Sequence, residues 1–134
     1  MINHSNLFPE GKMTFEDGIL YLEYNQDITV DLNVLYRQII YRQSLTKEKD
    51  FYMIVDFRKN VEVTEEVTAF MASHPNPEHF KGLAMLTRYG LDHTKAKLYS
   101  MFDRPNVKTK AVLSMEEAKL WFENLEKPVL RKAS

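Results

Sequence analysis

Three short apolar runs, FYMIVDF (51–57), GLAMLT (82–87) and TKAVL (109–113), are the feature that most constrains this chain. Each is too short for an ordinary helix and rich in β-branched or aromatic residues, the pattern of a strand covered on both faces. Segments of helical periodicity separate them. Strands that alternate with helices require crossovers, and crossovers produce parallel pairing with helices packed on the sheet. Ahead of this series stands KMTFEDGILYLEY (12–24), two β-prone runs about Asp17-Gly18. An Asp-Gly pair between such runs marks a tight hairpin, because both central residues of the turn need positive φ. The expectation is an α/β fold with a mixed four- to five-stranded sheet that starts with a β-hairpin and continues as alternating helices and strands.

The helices have readable starts. Asp31 can accept from the free amides of a first helical turn. After it, Leu32, Leu35, Tyr36, Ile39 and Ile40 follow the i, i+3, i+4, i+7 spacing, which predicts a helix to about Ser44 with those side chains inward. Thr64 opens a second helix, with Glu65 and Glu66 where negative charge suits the helix dipole and Val67, Phe70 and Met71 on the apolar side. Leu91 to Phe102 reads as a third helix, with Leu91, Leu98, Met101 and Phe102 inward. Ser114-Met115-Glu116-Glu117 is a capping box, in which Glu117 can reach back to the Ser114 amide. Ala118, Trp121, Phe122 and Leu125 line the helix behind it. No linker or repeat divides the 134 residues, so one domain is expected over 1–134, with its ordered core at about 12–125.

Composition narrows the function classes. The chain has no cysteine, hence no disulfide, thiol nucleophile or thiolate metal site. No apolar run approaches a membrane span, so membrane insertion is not expected. The opening MINHSNLFPEGK lacks the charged start and apolar centre of a signal peptide, and a cytoplasmic location is expected. The formal net charge of −1 exerts no general pull on nucleic acid. That balance conceals a split: residues 1–67 carry 7 basic and 12 acidic side chains, residues 68–134 carry 11 and 7. Opposite halves of this kind suit attraction between copies, and a homodimer is expected.

The pieces EDGILYLEYN (16–25), MIVDFRK (53–59), GLAMLT (82–87) and NVKTKAVLSMEEAKLWFENL (106–125) resemble small bacterial proteins with the STAS-like fold of anti-sigma-factor antagonists. They are most similar to a group of short uncharacterised proteins frequent in the Bacteroidetes. That fold is also compared with the fold of lipid carriers. The resemblance implies a STAS-like domain, with a regulatory protein partner or, through the carrier comparison, a small apolar ligand. In the antagonists a strand ending in aliphatic-Asp-aliphatic leads to a phosphorylated serine at the next helix start. Val55-Asp56-Phe57 matches the strand end. The serine position falls near Glu65 or Glu66, and Thr64 is the nearby hydroxyl and the candidate switch.

Candidate chemistry is sparse. Asp56, Arg58 and Lys59 lie where a parallel strand ends, the edge at which open α/β sheets bind ligands. With Thr64 they are the candidate ligand or partner contacts. An enzyme centred on Asp56 and Arg58 is a third reading, although no nucleophile or second acid accompanies them. His74, Glu78 and His79 carry metal-ligand atoms, but two prolines intervene and no further ligand sits at motif spacing. Arg88, Lys95, Lys97, Arg104, Lys108 and Lys110, interleaved with Tyr89 and Tyr99, form a basic stretch that reads as a solvated face. Neither Gly-x-x-x-x-Gly-Lys nor Gly-x-Gly-x-x-Gly occurs, so no cofactor is expected. Met53, Met71, Met85, Met101 and Met115 suit core gaps, or the wall of an apolar pocket in a carrier. The leading reading is a non-enzymatic cytoplasmic protein-interaction module.

Overall fold

A computed structural model describes residues 5–73, 78–88 and 108–126. The first strands form a meander. β1 (Ser5–Phe8) pairs antiparallel with β2 (Gly11–Glu16), and β2 with β3 (Ile19–Tyr24) through the Asp17-Gly18 turn. Asp17 and Gly18 have φ of 54° and 79°, as the two-residue turn demands. At Gly11 a side chain would run into the Glu23 carbonyl of the neighbouring strand, so only glycine lets β2 sit this close to β3.

From β3 onward the sheet is parallel. β5 (Phe51–Asp56) joins β3, β7 (Phe80–Leu86) joins β5, and β8 (Lys108–Val112) joins β7. The order β1-β2-β3-β5-β7-β8 makes six strands, against the four or five expected. The added strand is β1, ahead of the expected hairpin. It is four residues long at the sheet edge, with Leu7 80% exposed and Phe8 buried, so it has no run of alternating residues to announce it. A second, two-stranded parallel sheet pairs β4 (Thr29–Val30) with β6 (Glu62–Val63).

Alternation along the strands sorts the core into two layers. On one face Met13, Leu20, Leu22, Tyr24, Phe51 and Val55 pack with Val34, Tyr41 and Leu45 of α1 (Leu32–Thr46). α2 (Glu65–Ser73) lies beside α1, its Phe70 ring meeting Tyr36 edge-on at 5.7 Å between centroids. On the other face Ile54, Ala84, Leu86 and Val112 pack with Ala118 and Phe122 of α3 (Met115–Glu126). Phe122 stacks on Tyr52 at 4.6 Å, and Trp121 leans on Phe122. Met85 and Met13 are buried and Met53 and Met115 partly so, all as packing.

The caps behave as their chemistry requires. Asp31 Oδ1 accepts from the Val34 amide at 3.0 Å, and Ser114 Oγ accepts from the Glu117 amide at 3.1 Å. Glu117 reaches back to the amide of Leu113, one residue earlier than expected. The inward face of α1 differs from the expectation. Its inward line is the buried Val34 and Gln38 with the partly buried Tyr41 and Leu45; Leu32, Leu35 and Ile39 are also partly buried, while Tyr36 and Ile40 are 45% and 63% exposed. α1 carries two apolar stripes. Burial selects the one containing Gln38, because Tyr24 supplies the partner that makes a buried amide tolerable. The expected helix over 91–102 lies outside the described residues. Among the described residues no helix is long and apolar enough to cross a membrane.

Candidate functional site

β5 ends at Asp56, between Glu23 of β3 and Leu86 of β7 in the register. Its carboxylate is nearly buried and closes on the residue two positions later. Oδ1 accepts from the Arg58 amide at 2.9 Å and from Arg58 Nε at 3.0 Å, and Oδ2 accepts from Arg58 Nη2 at 2.9 Å. The amide bond is a turn of the kind Asp favours just after a strand. The two guanidinium bonds form the bidentate fork that fits carboxylate geometry. The bond to Asp56 pushes the Arg58 pKa up, with burial opposing. Arg58 is thus a fixed cation, its side chain 47% exposed, at the carboxyl edge of the parallel strands.

The loop after it is stitched to the segment that leads into α1. Lys59 Nζ lies 3.4 Å from Glu23 Oε2. The Asp27 amide donates to the Lys59 carbonyl, the Glu62 amide to Ile28 and the Thr64 amide to Val30. Asn60 Nδ2 donates to Asp27 Oδ1 at 2.7 Å, and both residues hold the left-handed conformation, with φ of 55° and 58°. Asn and Asp tolerate that region better than other side chains. Thr64 Oγ1 accepts from the Val67 amide at 3.3 Å, so its hydroxyl caps α2. Asp56, Arg58 and Lys59 therefore form one charged edge, and the same loop carries Thr64 to the α2 start. Sequence reasoning missed Asp27 and Asn60. Their residue types were the available signal, but their partnership spans 33 positions.

Acid–base chemistry at this edge meets a geometric limit. Both oxygens of Asp56 accept from Arg58, Oδ1 twice and Oδ2 once, so the pairing competes with any proton transfer at that carboxylate. His79 lies 2.8 Å from Asp50, whose carboxyl it holds below the usual range, and Lys81 also approaches Asp50 at 3.7 Å. His79 therefore engages Asp50, and Glu78 is exposed. His74 lies outside the described residues, as do Lys95, Lys97, Arg104, Tyr89 and Tyr99 of the basic stretch. Lys110 lies 3.9 Å from Glu117. Among the described residues no three His, Asp or Glu side chains converge as metal ligands do.

Residues 13–126 match the profile of a domain of unknown function, DUF7793. The chain belongs to that family. Among solved structures it is similar to an uncharacterized protein of the DUF3478 family with a SpoIIAA-like fold, from Shewanella loihica PV-4. The two share 12% identity at a TM-score of 0.55, over 90% of this chain and 95% of that one. At that identity the likeness establishes the fold, and it is the STAS-like fold expected from the sequence. No curated protein matches the chain.

Proposed function

We propose that this DUF7793 chain is a non-enzymatic protein-interaction module of the cytoplasm, working as a homodimer, which meets its partner at the carboxyl edge of the parallel strands. The observation that carries the reading is the Asp56–Arg58 fork. It ties the buried carboxylate of Asp56 into a bidentate pair and holds Arg58 as a fixed, half-exposed cation. A fixed guanidinium offers an acidic partner surface bidentate geometry, with less side-chain entropy to lose than a free arginine. Lys59 adds a second cation, and Thr64 places the α2 start on the same loop. A homodimer fits the charge split between the halves, and the cysteine-free composition fits a reducing compartment.

The test is capture from extract of the native organism on immobilised wild-type protein, on Arg58→Glu/Lys59→Glu, and on Lys119→Glu as a charge change on α3. A protein retained by wild type and Lys119→Glu and lost on the double variant supports the reading. Equal retention on all three, or none on wild type, overturns it.

A further inference from the structure

We propose that the outer face of the α1–α2 pair receives a second copy of this chain, the two α1 helices packing antiparallel about a two-fold axis. This rests on the homodimer reading and assigns its surface. Tyr36 and Ile40 are one helical turn apart on the side of α1 facing away from Val34, Gln38, Tyr41 and Leu45, and they are the most exposed large apolar groups of that helix. Leu32, a turn earlier, and Phe70 on α2 are half-buried and widen the stripe. Single exposed apolar residues are ordinary on a surface. An aligned set flanked by a second helix is the anatomy of a contact face.

Charge selects the occupant. α1 and α2 start from the same end, because β4 and β6 pair in parallel just ahead of them. Tyr36 opposite Phe70 sets their register, which places Glu65 and Glu66 about level with the start of α1. Lys47, the left-handed cap residue that ends α1, stands about two turns beyond Ile40 at the other end. Within the described residues, neither glutamate nor the Lys47 ammonium makes an ion pair. At a rise of 1.5 Å per residue, Lys47 lies about 13 Å from the midpoint of Tyr36 and Ile40, and the glutamates about 10 Å on the opposite side. A two-fold axis through that midpoint therefore brings each Lys47 within side-chain reach of the partner's glutamates. It also sets the α1 dipoles antiparallel. One face thus carries acid at one end, apolar groups in the middle and base at the other end, and it is complementary to itself, as an isologous contact must be.

The footprint predicts a weak dimer. α1 has 15 residues, hence a length of about 22 Å, and two helices side by side are roughly 20 Å wide. The resulting area of about 450 Å² falls short of the ~800 Å² that each partner buries in a standard interface. Dissociation on the order of ten micromolar or weaker is expected.

Sedimentation equilibrium of the full chain, from about one to several hundred micromolar, tests the face. Wild type should dimerise in that range. Ile40→Asp should weaken the dimer by at least about tenfold, with an unchanged far-ultraviolet spectrum. Lys47→Glu alone and Glu65→Lys/Glu66→Lys should each weaken it, and the triple variant that swaps all three charges should recover it. A monomeric wild type, a dimer indifferent to Ile40→Asp, or a triple variant no tighter than its parents overturns the proposal. Capture at Arg58 is measured separately on Ile40→Asp, so losing the dimer face and losing the partner edge give different results.

Discussion

Tyr24 and Gln38 offer a perturbation whose size follows from the structure. Tyr24 on β3 and Gln38 on α1 are 4% and 6% exposed, and Gln38 Nε2 donates to the Tyr24 hydroxyl at 2.9 Å. Tyr24→Phe keeps the ring and its packing but removes the acceptor, leaving a buried amide hydrogen unpaired. That costs about 1–3 kcal/mol, the desolvation of an orphaned polar group. Gln38→Met keeps an unbranched side chain of similar length and orphans the hydroxyl instead, at a similar cost. Replacing both partners leaves nothing unpaired, so the double variant should lie within about 1 kcal/mol of wild type. The coupling energy of the cycle is then at least about 1 kcal/mol. Urea unfolding followed by far-ultraviolet circular dichroism at neutral pH measures all four proteins, with the urea slope checked for constancy. If the two single losses simply add in the double variant, the bond contributes no coupling and the account of why α1 buries Gln38 is wrong.

Three further outcomes are expected. Thr64→Ala removes the α2 cap and should cost about 1 kcal/mol in the same assay, and no measurable loss would show the 3.3 Å contact to be idle. Gly11→Ala drives a methyl into the Glu23 carbonyl and should cost about 3 kcal/mol. Gly82→Ala, whose nearest neighbours are Leu125 Cδ1 and the edge of the Tyr52 ring at 3.2 Å rather than backbone, should cost less, and the reverse order contradicts the packing. At alkaline pH, burial pushes the Tyr24 phenol well up, whereas in the unfolded chain it ionises near its ordinary value of about 10. Its contribution is complete below that value and is lost as pH rises past it, because the unfolded state then holds fewer protons than the folded one. Tyr52, also pushed up chiefly by burial, leaves part of the slope in every variant. Tyr24→Phe should therefore flatten the fall of urea midpoint between pH 9 and 11 without abolishing it, and identical slopes would refute this origin.

The architecture was legible because it depends on local signals. Asp17-Gly18 can only turn one way between two strands. The run from Phe51 leaves little choice but a covered strand, and Asp31, Thr64 and Ser114 each stand where a helix has free amides. What was not legible depends on partners distant in sequence. Hydropathy ranks Tyr36 and Ile40 above Gln38, yet the helix turns Gln38 inward because Tyr24, 14 residues upstream, completes its hydrogen bond. β1 is a strand because β2 offers it an edge, not because four residues insist on it. At the candidate site, Asp56 and Arg58 were visible as a strand end followed by charge. The fork that joins them, and the Asp27–Asn60 clasp that shapes the neighbouring loop, are properties of the folded backbone.

The claim that this chain works by contact at the Arg58 edge is tested most directly by amide hydrogen exchange of the wild-type protein with and without the partner captured on it. The account predicts slowed exchange over residues 57–66, the loop that carries Arg58, Lys59 and Thr64, and the effect should be absent in Arg58→Glu/Lys59→Glu. Protection confined to other segments, with 57–66 exchanging as in the free protein, would contradict it.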